Sequence, residues 1–409
     1  MAIIKPFSAY RPRTDIVDKV AALPYDVYNR AEAKAAVAGN PLSFLNIDRP
    51  ETAFPDDYDM YAPEVYAKAK EMLDAMISRG EYVKDSKDVY YIYELVMDGR
   101  KQTGIVACAS IDDYISGVIK KHENTREEKE IDRITHVDTC DAQTGPIFLA
   151  YRASEVVDSI VNKVKSKDAL YSFVSEDGIG HSVWIIDDTD DVSSIKNAFD
   201  GISDIYIADG HHRAASAVKV GIKRREANPD ASYRESDYFL SVLFPHNQLK
   251  ILPYNRVVSD LNSYSKDEFL NIISDKFDIV KADEPVMPDV KYTYGMFLDG
   301  QWYRLSAKDS IKNNDPVEGL DVSILQNNLL GPVLGIKDPR TDKRIDFVGG
   351  IRGLKELERR VNEDMTVAFS MYPTSIDELF DVADASMLMP PKSTWFEPKL
   401  RSGIFVHKL

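Results

Sequence analysis

The spacing of apolar residues along the chain predicts a mixture of short strands and helices. From 63 to 79, apolar residues recur three or four positions apart, which is the spacing of one buried helix face. Two strand-like stretches, 88–96 and 102–111, flank Asp98-Gly99, a dipeptide typical of a tight hairpin turn. Hairpins and helices without a regular βαβ order favour an α+β protein with mixed sheets and packed helices.

Shorter stretches complete this prediction. Further helices are expected at 31–38, 155–164, 211–220, 321–330 and 376–383, and further strands at 3–4, 147–151, 181–186, 204–208, 239–244 and 403–407. Gly221 is expected to end the helix that begins at 211, because glycine commonly follows the last helical residue. Ser375 and Glu378 have the spacing of a capping box, which predicts a helix that begins beside them.

The net charge of the chain limits the classes of molecule that it is expected to bind. The 409 residues include 51 Lys and Arg against 67 Asp and Glu, so the net charge is −16. Such a charge repels phosphate backbones and anionic membranes, which argues against a dedicated nucleic-acid or membrane binder. Two cysteines build no disulfide framework, and no apolar run reaches the length of a membrane span, so a cytoplasmic location is expected. A local basic pocket for a small phosphorylated ligand remains compatible with this composition.

The strongest chemical signal is a strand, a glycine turn and a helix start at 205–215. The first N–H groups of a helix and its dipole favour an anion, and Gly210 allows a ligand to approach the backbone. We therefore expect Gly210, His211, His212 and Arg213 to bind phosphate. Asp209 adds a carboxylate that is a candidate catalytic group and a candidate Mg²⁺ ligand. The alternative is a plain helix N-cap with two histidines on a surface loop.

A second candidate cluster begins at His122-Glu123. The zincin motif His-Glu-x-x-His is incomplete here because residue 126 is arginine, so a metalloprotease is excluded. Phosphoryl transfer to an alcohol needs a base near the hydroxyl, and Glu123 is a candidate for that base or for a Mg²⁺ ligand. His122 is a candidate proton carrier or phosphate donor, and Asp132 and Arg133 are candidates to complete the cluster. The alternative is a solvated, charged segment.

A third candidate lies in the proline-rich segment 389–399. Its cations and hydroxyls are expected to bind phosphate or nucleotide: Lys392, Ser393, Thr394 and Lys399. Trp395 and Phe396 offer rings on which a base can stack. The alternative is a rigid loop that packs before the last strand.

The motif Asp209-Gly-His-His-Arg213 resembles the phosphate-binding motif of the ParB/sulfiredoxin superfamily, and most of all its ADP-dependent serine kinase branch. Sulfiredoxins carry a catalytic cysteine where this chain has His211, which makes a sulfiredoxin reaction improbable. Partition proteins commonly have glutamate there and add a DNA-binding domain, from which this acidic chain also departs. The resemblance implies a phosphate-binding core at 166–262 between α+β regions at 1–165 and 263–409.

A broader set of motifs resembles domain-of-unknown-function family 1015 over nearly the whole chain. The set comprises Pro6-Phe-x-Ala-x-Arg-Pro12, Pro24-Tyr-Asp-Val27, His122-Glu-x-Thr125, Asp132-Arg133, the 209–213 motif and 389–399. The family implies no activity. The kinase-like motif implies a nucleotide-dependent kinase that uses ADP or ATP with Mg²⁺ and a small hydroxyl acceptor such as serine. A non-catalytic nucleotide-binding regulator and a phosphatase or nuclease remain open alternatives.

Overall fold

Two separate β-sheets organise the chain, one in each of two units. The structure is a computed structural model and describes residues 1–409. The first unit comprises Met1–Leu249 and Pro398–Leu409, and the second comprises Lys250–Glu397. The sequence analysis drew three regions instead, and its boundary after residue 165 lies inside the first unit. Helices and mixed sheets in both units confirm the α+β class.

The first unit contains nine α-helices and most of the strands. The helices are α1 Val17–Val20, α2 Arg30–Val37, α3 Leu45–Asp48, α4 Pro63–Ser78, α5 Ile111–Ser116, α6 Glu127–Cys140, α7 Glu155–Lys165, α8 Thr189–Asp200 and α9 His211–Ala227. The strands are β1 Ile4–Lys5, β2 Tyr10–Pro12, β3 Tyr82–Lys84, β4 Tyr90–Met97, β5 Arg100–Ser110, β6 Ile119–Lys120, β7 Ala142–Gln143, β8 Ile147–Tyr151, β9 Tyr171–Val174, β10 Gly180–Ile186, β11 Ile205–Asp209 and β12 Tyr238–Pro245.

A nine-stranded sheet forms the centre of this unit. Its order is β6-β11-β8-β12-β5-β4-β10-β9, and β1 pairs with β5. The predicted hairpin at Asp98-Gly99 joins β4 to β5. Most neighbours are antiparallel, but β8 pairs with β12, and β6 with β11, in parallel. Apolar side chains of the sheet pack with those of α7, α8 and α9 into one buried core, and this core fixes the position of β11.

The second unit is built on a six-stranded antiparallel sheet. Its helices are α10 Lys266–Ile273, α11 Asp321–Leu325, α12 Leu354–Glu363 and α13 Ile376–Asp384. Its strands are β13 Ile251–Leu252, β14 Tyr254–Val258, β15 Phe277–Ala282, β16 Thr293–Leu298, β17 Gln301–Ala307, β18 Ile345–Gly349, β19 Val367–Met371 and β20 Trp395–Phe396. The sheet order is β15-β17-β16-β19-β14-β18, and β13 pairs separately with β20. The chain then returns to the first unit, where β21 (His407–Lys408) pairs with β7.

Three local predictions need correction. Helix α9 does not end at Gly221 but continues to Ala227. Gly221 stands inside the helix because a neighbouring segment packs closely against it. A Cβ atom at Gly221 would lie 2.4 Å from the carbonyl oxygen of Ser236. The helix expected at 321–330 changes after Leu325 into a π-helical turn, and the last strand begins only at His407.

The capping box at Ser375 is confirmed, since its side chain and that of Glu378 exchange hydrogen bonds with the backbone.

No helix in the chain is both long enough and apolar enough to pass through a lipid bilayer.

A buried carboxyl group makes the stability of the second unit depend on pH. Asp321 is 5% exposed, and burial raises its pKa from 3.8 to about 7, although Tyr292 N–H donates to its carboxylate. The unfolded chain releases this proton near pH 4 and the folded chain only near pH 7, so Asp321 lowers stability as pH rises through that interval.

We expect Asp321→Asn to remove this effect. Its free energy of unfolding should match the wild type near pH 4 and exceed it by on the order of 4 kcal/mol above pH 7, since the pKa rises by about three units and each unit corresponds to about 1.4 kcal/mol. Urea denaturation of both proteins across this pH range measures the difference. A difference that does not change with pH would contradict the assignment.

Candidate phosphate-binding site

The turn between β11 and α9 places the predicted motif at an open helix end. The pairing of β11 with β8 shifts register between Ile207 and Asp209, so the strand is bulged just before the turn. Gly210 follows with φ +94°, in the left-handed region that glycine adopts without strain. Helix α9 begins at His211, and no side chain caps it. Its first N–H groups therefore have no acceptor within the helix and carry the positive end of the helix dipole.

Asp209 is a partly exposed carboxylate held by two neighbours. Its Oδ1 accepts the N–H of Gly210 at 2.9 Å, and its Oδ2 lies 3.1 Å from Nζ of Lys399. Burial alone would raise the pKa of Asp209, but the charges of Lys399 and Arg213 outweigh burial and hold this pKa far below its usual range. Asp209 is therefore ionised and paired, and both of its oxygens are engaged.

Arg213 lies directly against the glycine turn. A Cβ atom at Gly210 would come within 3.1 to 3.2 Å of the Arg213 guanidinium, so a larger residue there would displace it. The guanidinium donates from Nη1 to the carbonyl of Pro146, while its buried Nε has no hydrogen-bond partner. The turn thus has a cation beside it in addition to its own N–H groups.

His122, Glu123 and His211 converge at the start of α9. The two imidazole rings meet edge to face with their centres 4.5 Å apart, and Nδ1 of His211 lies 3.9 Å from Oε2 of Glu123. His122 and His211 are 2% and 5% exposed, whereas the Glu123 side chain is 45% exposed. The Nε2 atom of His211 has no hydrogen-bond partner, and neither ring nitrogen of His122 makes a hydrogen bond of normal geometry.

Both buried rings are neutral near pH 7. Burial lowers the pKa of His122 to about 4, although Asp209 and the backbone of Ile207 favour its protonated form. Burial also lowers the pKa of His211 well below its usual range, and the neighbouring His122 adds to this effect. A neutral imidazole keeps one nitrogen lone pair available for a proton or a metal ion.

His212 differs from its neighbour in what it contacts. Its Nε2 accepts the backbone N–H of Arg126 at 3.0 Å, so this ring holds the 122–126 segment against α9. Its other nitrogen, Nδ1, is the one that remains for the phosphate predicted from the sequence.

Asp132 and Arg133 lie on α6 and form a different environment. Arg133 pairs with Asp132 at 2.9 Å and stacks 4.0 Å from the centre of the Tyr25 ring. Tyr25, Arg133 and Arg213 line a pocket together with Asp48 and Thr144. His122, Glu123 and Asp209 do not line it. The sequence analysis named neither Asp48 nor Thr144, whose hydrogen bond to each other joins residues far apart in the chain.

The segment 389–399 is divided between the two units. Lys392, Ser393 and Thr394 belong to the second unit and Lys399 to the first. In the second unit, the carbonyl of Lys392 accepts from Arg256, and Ser393 donates to the carbonyl of Pro390. These bonds stabilise the loop itself. Lys399 is the residue of this segment that the structure brings to the motif.

We expect Gly210→Ala to cost more stability than backbone strain alone. A left-handed alanine costs about 1–2 kcal/mol, and here its Cβ also displaces Arg213. Gly117 is the matched control, because its φ is +82° and no atom lies within 4 Å of a Cβ placed there. Urea denaturation should give a larger loss for Gly210→Ala than for Gly117→Ala. Equal losses would show that Arg213 does not depend on this glycine.

Comparison with solved structures gives only distant similarity. A variant of free serine kinase in complex with AMP is 12% identical, with a TM-score of 0.36, over 74% of this chain and 92% of that chain. SbnI with a C-terminal truncation, from Staphylococcus aureus, is 11% identical, with a TM-score of 0.38, over 71% of this chain and 82% of that chain. A conserved hypothetical protein from Pyrococcus furiosus is 12% identical, with a TM-score of 0.35, over 76% of this chain and 96% of that chain. Similarity at this level does not assign a function.

Comparison with curated proteins gives no match. The family model described as "Protein of unknown function (DUF1015)" matches residues 4–323. This range includes the motifs at 122–133 and 209–213 but not the segment 389–399, which the sequence analysis had counted with them. The chain belongs to the DUF1015 family.

Proposed function

We propose that this chain is a nucleotide-dependent phosphotransferase. It binds the phosphates of ADP or ATP at the N-terminus of α9 and transfers one to a small hydroxyl-bearing molecule such as serine. One observation carries the proposal: an uncapped helix N-terminus lies directly beside a half-exposed glutamate and two buried histidines, each of which has a ring nitrogen without a hydrogen-bond partner. The resemblance of the 209–213 motif to that of serine kinases supports the choice of reaction.

The phosphate groups are held by the backbone and by fixed cations. The N–H groups of His211, His212 and Arg213 point out of the first turn of α9, as in other anion-binding helix termini. Arg213 and Lys399 add positive charge at the same turn. The negative charge of Asp209 is compensated by Lys399, so this carboxylate does not repel a bound phosphate as an isolated one would.

Glu123 acts as the base for the acceptor hydroxyl. Its side chain is exposed enough to meet a diffusing substrate and lies next to the phosphate-binding turn through His211. As the acceptor oxygen bonds to the terminal phosphorus, Glu123 takes the hydroxyl proton. The bond from phosphorus to the bridging oxygen breaks, and a nucleotide with one phosphate fewer leaves. His122 and His211 lie beside Glu123 and, because burial keeps them neutral, do not compete with it for the hydroxyl proton.

Mg²⁺ at Asp209 and Glu123 fits these residues poorly. Mg²⁺ requires oxygen ligands in near-octahedral geometry, whereas both oxygens of Asp209 are engaged by Gly210 and Lys399. The other donors near Glu123 are imidazole nitrogens. We therefore assign no step to a Mg²⁺ ion held by the protein.

The reaction can be followed directly by phosphorus NMR. The protein is incubated with ADP or ATP, MgCl₂ and a panel of hydroxylated amino acids, and a new phosphoester signal is expected. Nucleotide binding without turnover would replace the proposal with a regulatory role, and release of inorganic phosphate alone would replace it with a hydrolase.

Arg213→Ala should weaken nucleotide binding roughly 10- to 100-fold, as loss of one charge-assisted hydrogen-bonding group does. Lys223→Ala is the matched control: it removes one positive charge from the same helix, where Lys223 only forms an exposed pair with Asp138. Isothermal titration measures both variants, and Arg213→Lys tests whether charge alone suffices. Binding that is equally strong in Arg213→Ala and Lys223→Ala would contradict the assigned site.

Glu123→Gln separates catalysis from binding. Loss of a general base lowers kcat by about 10²- to 10⁴-fold, while the nucleotide KM should change little because Glu123 does not hold the phosphates. Steady-state kinetics with varied nucleotide measure both constants. An unchanged kcat, or a loss confined to KM, would exclude Glu123 as the base.

A further inference from the structure

We propose that His122, Glu123 and His211 bind one divalent transition-metal ion of the zinc class. One potential ligand atom from each residue lies within 4.8 Å of the other two. Ligands of a tetrahedral zinc ion lie about 3.4 Å apart, given bonds of about 2.0–2.1 Å. The pair His211 Nδ1 and Glu123 Oε2, at 3.9 Å, is already close to that separation. Small movements of the half-exposed glutamate would complete the set.

The two histidines stand apart from the others in the chain. The chain has seven histidines, and the other five each use a ring nitrogen in a hydrogen bond of normal geometry: His136, His181, His212, His246 and His407. His122 makes no such bond at either ring nitrogen, and the Nδ1 of His211 faces Oε2 of Glu123 at 3.9 Å, beyond hydrogen-bond distance. Buried polar atoms are nearly always partnered in proteins. The unpartnered ring of His122, beside the Nδ1 of His211 and the carboxylate of Glu123, therefore indicates an absent binding partner.

The types of ligand atom in this cluster indicate which metal ion it would bind. Two imidazoles and one carboxylate are the ligands of zinc and similar ions, whereas Mg²⁺ and Ca²⁺ take oxygen ligands. Glu123 is the exposed member, so an ion enters from its side and keeps a position open toward solvent. Three protein ligands with an open fourth position describe a catalytic rather than a structural zinc site.

This site adjoins the phosphate-binding turn, because His211 is the first residue of α9. The inference nevertheless does not rest on the proposed function, since metal binding can be measured without nucleotide, and Glu123 would serve as the base only in the metal-free protein. Nucleotide binding without metal binding would overturn the metal site and leave the proposed function intact. Metal binding without nucleotide turnover would overturn the proposed function and leave the metal site intact.

Cobalt titration tests the site on the full chain. The protein is treated with EDTA, dialysed into metal-free buffer and titrated with Co²⁺ in the absence of nucleotide. We expect one equivalent to bind with the visible absorption of a four- or five-coordinate ion, and Zn²⁺ to displace it. Absence of that absorption, with no Zn²⁺ binding by calorimetry, would overturn the proposal.

Substitution of each proposed ligand tests where the ion binds. His122→Ala and His211→Ala should each weaken Co²⁺ binding by about 100-fold or more, because loss of even an outer contact costs 10- to 100-fold. Glu123→Gln replaces a half-exposed side chain, so it should fold normally while it still weakens binding. His246→Ala removes a histidine outside the cluster and should bind as the wild type does. Circular dichroism checks the fold of each variant. Unchanged affinity in Glu123→Gln together with His122→Ala would overturn the assignment.

Discussion

The left-handed turn at Gly210 determines where the charged groups of the candidate site lie. Because this residue has no Cβ, the chain passes from the bulged end of β11 directly into α9, and the guanidinium of Arg213 packs against the turn. Asp209 before the turn then meets Lys399, and His211 after it meets His122 and Glu123. A residue that could not adopt this backbone conformation would separate the two halves of the site, so the chemistry depends on one φ angle.

Electrostatic compensation makes this arrangement possible in an acidic chain. The net charge of −16 disfavours extended phosphate polymers. At the turn, however, the carboxylate of Asp209 is held ionised by Lys399 and Arg213, and the helix dipole adds positive potential. The final residues of the chain supply one of these cations by their return to the first unit. The result is the site that we propose for a small anion, with neutral imidazoles and a glutamate at its edge.

The sequence predicted the features that depend on local order. The strand, turn and helix at 205–215, the hairpin at Asp98-Gly99 and the capping box at Ser375 need only neighbouring residues. Long-range packing explains what it missed. Gly221 resembles a helix end, but it lies inside α9 because Ser236 packs against it. The unpartnered nitrogens of His122 and His211 become visible only in three dimensions.

A crystal structure of the full chain with ADP would test the central claim most directly. The account predicts phosphate oxygens within hydrogen-bonding distance of the N–H groups of residues 211–213, with Arg213 and Lys399 beside them and Glu123 facing the terminal phosphate. A nucleotide bound elsewhere, with the first turn of α9 open to solvent, would contradict it.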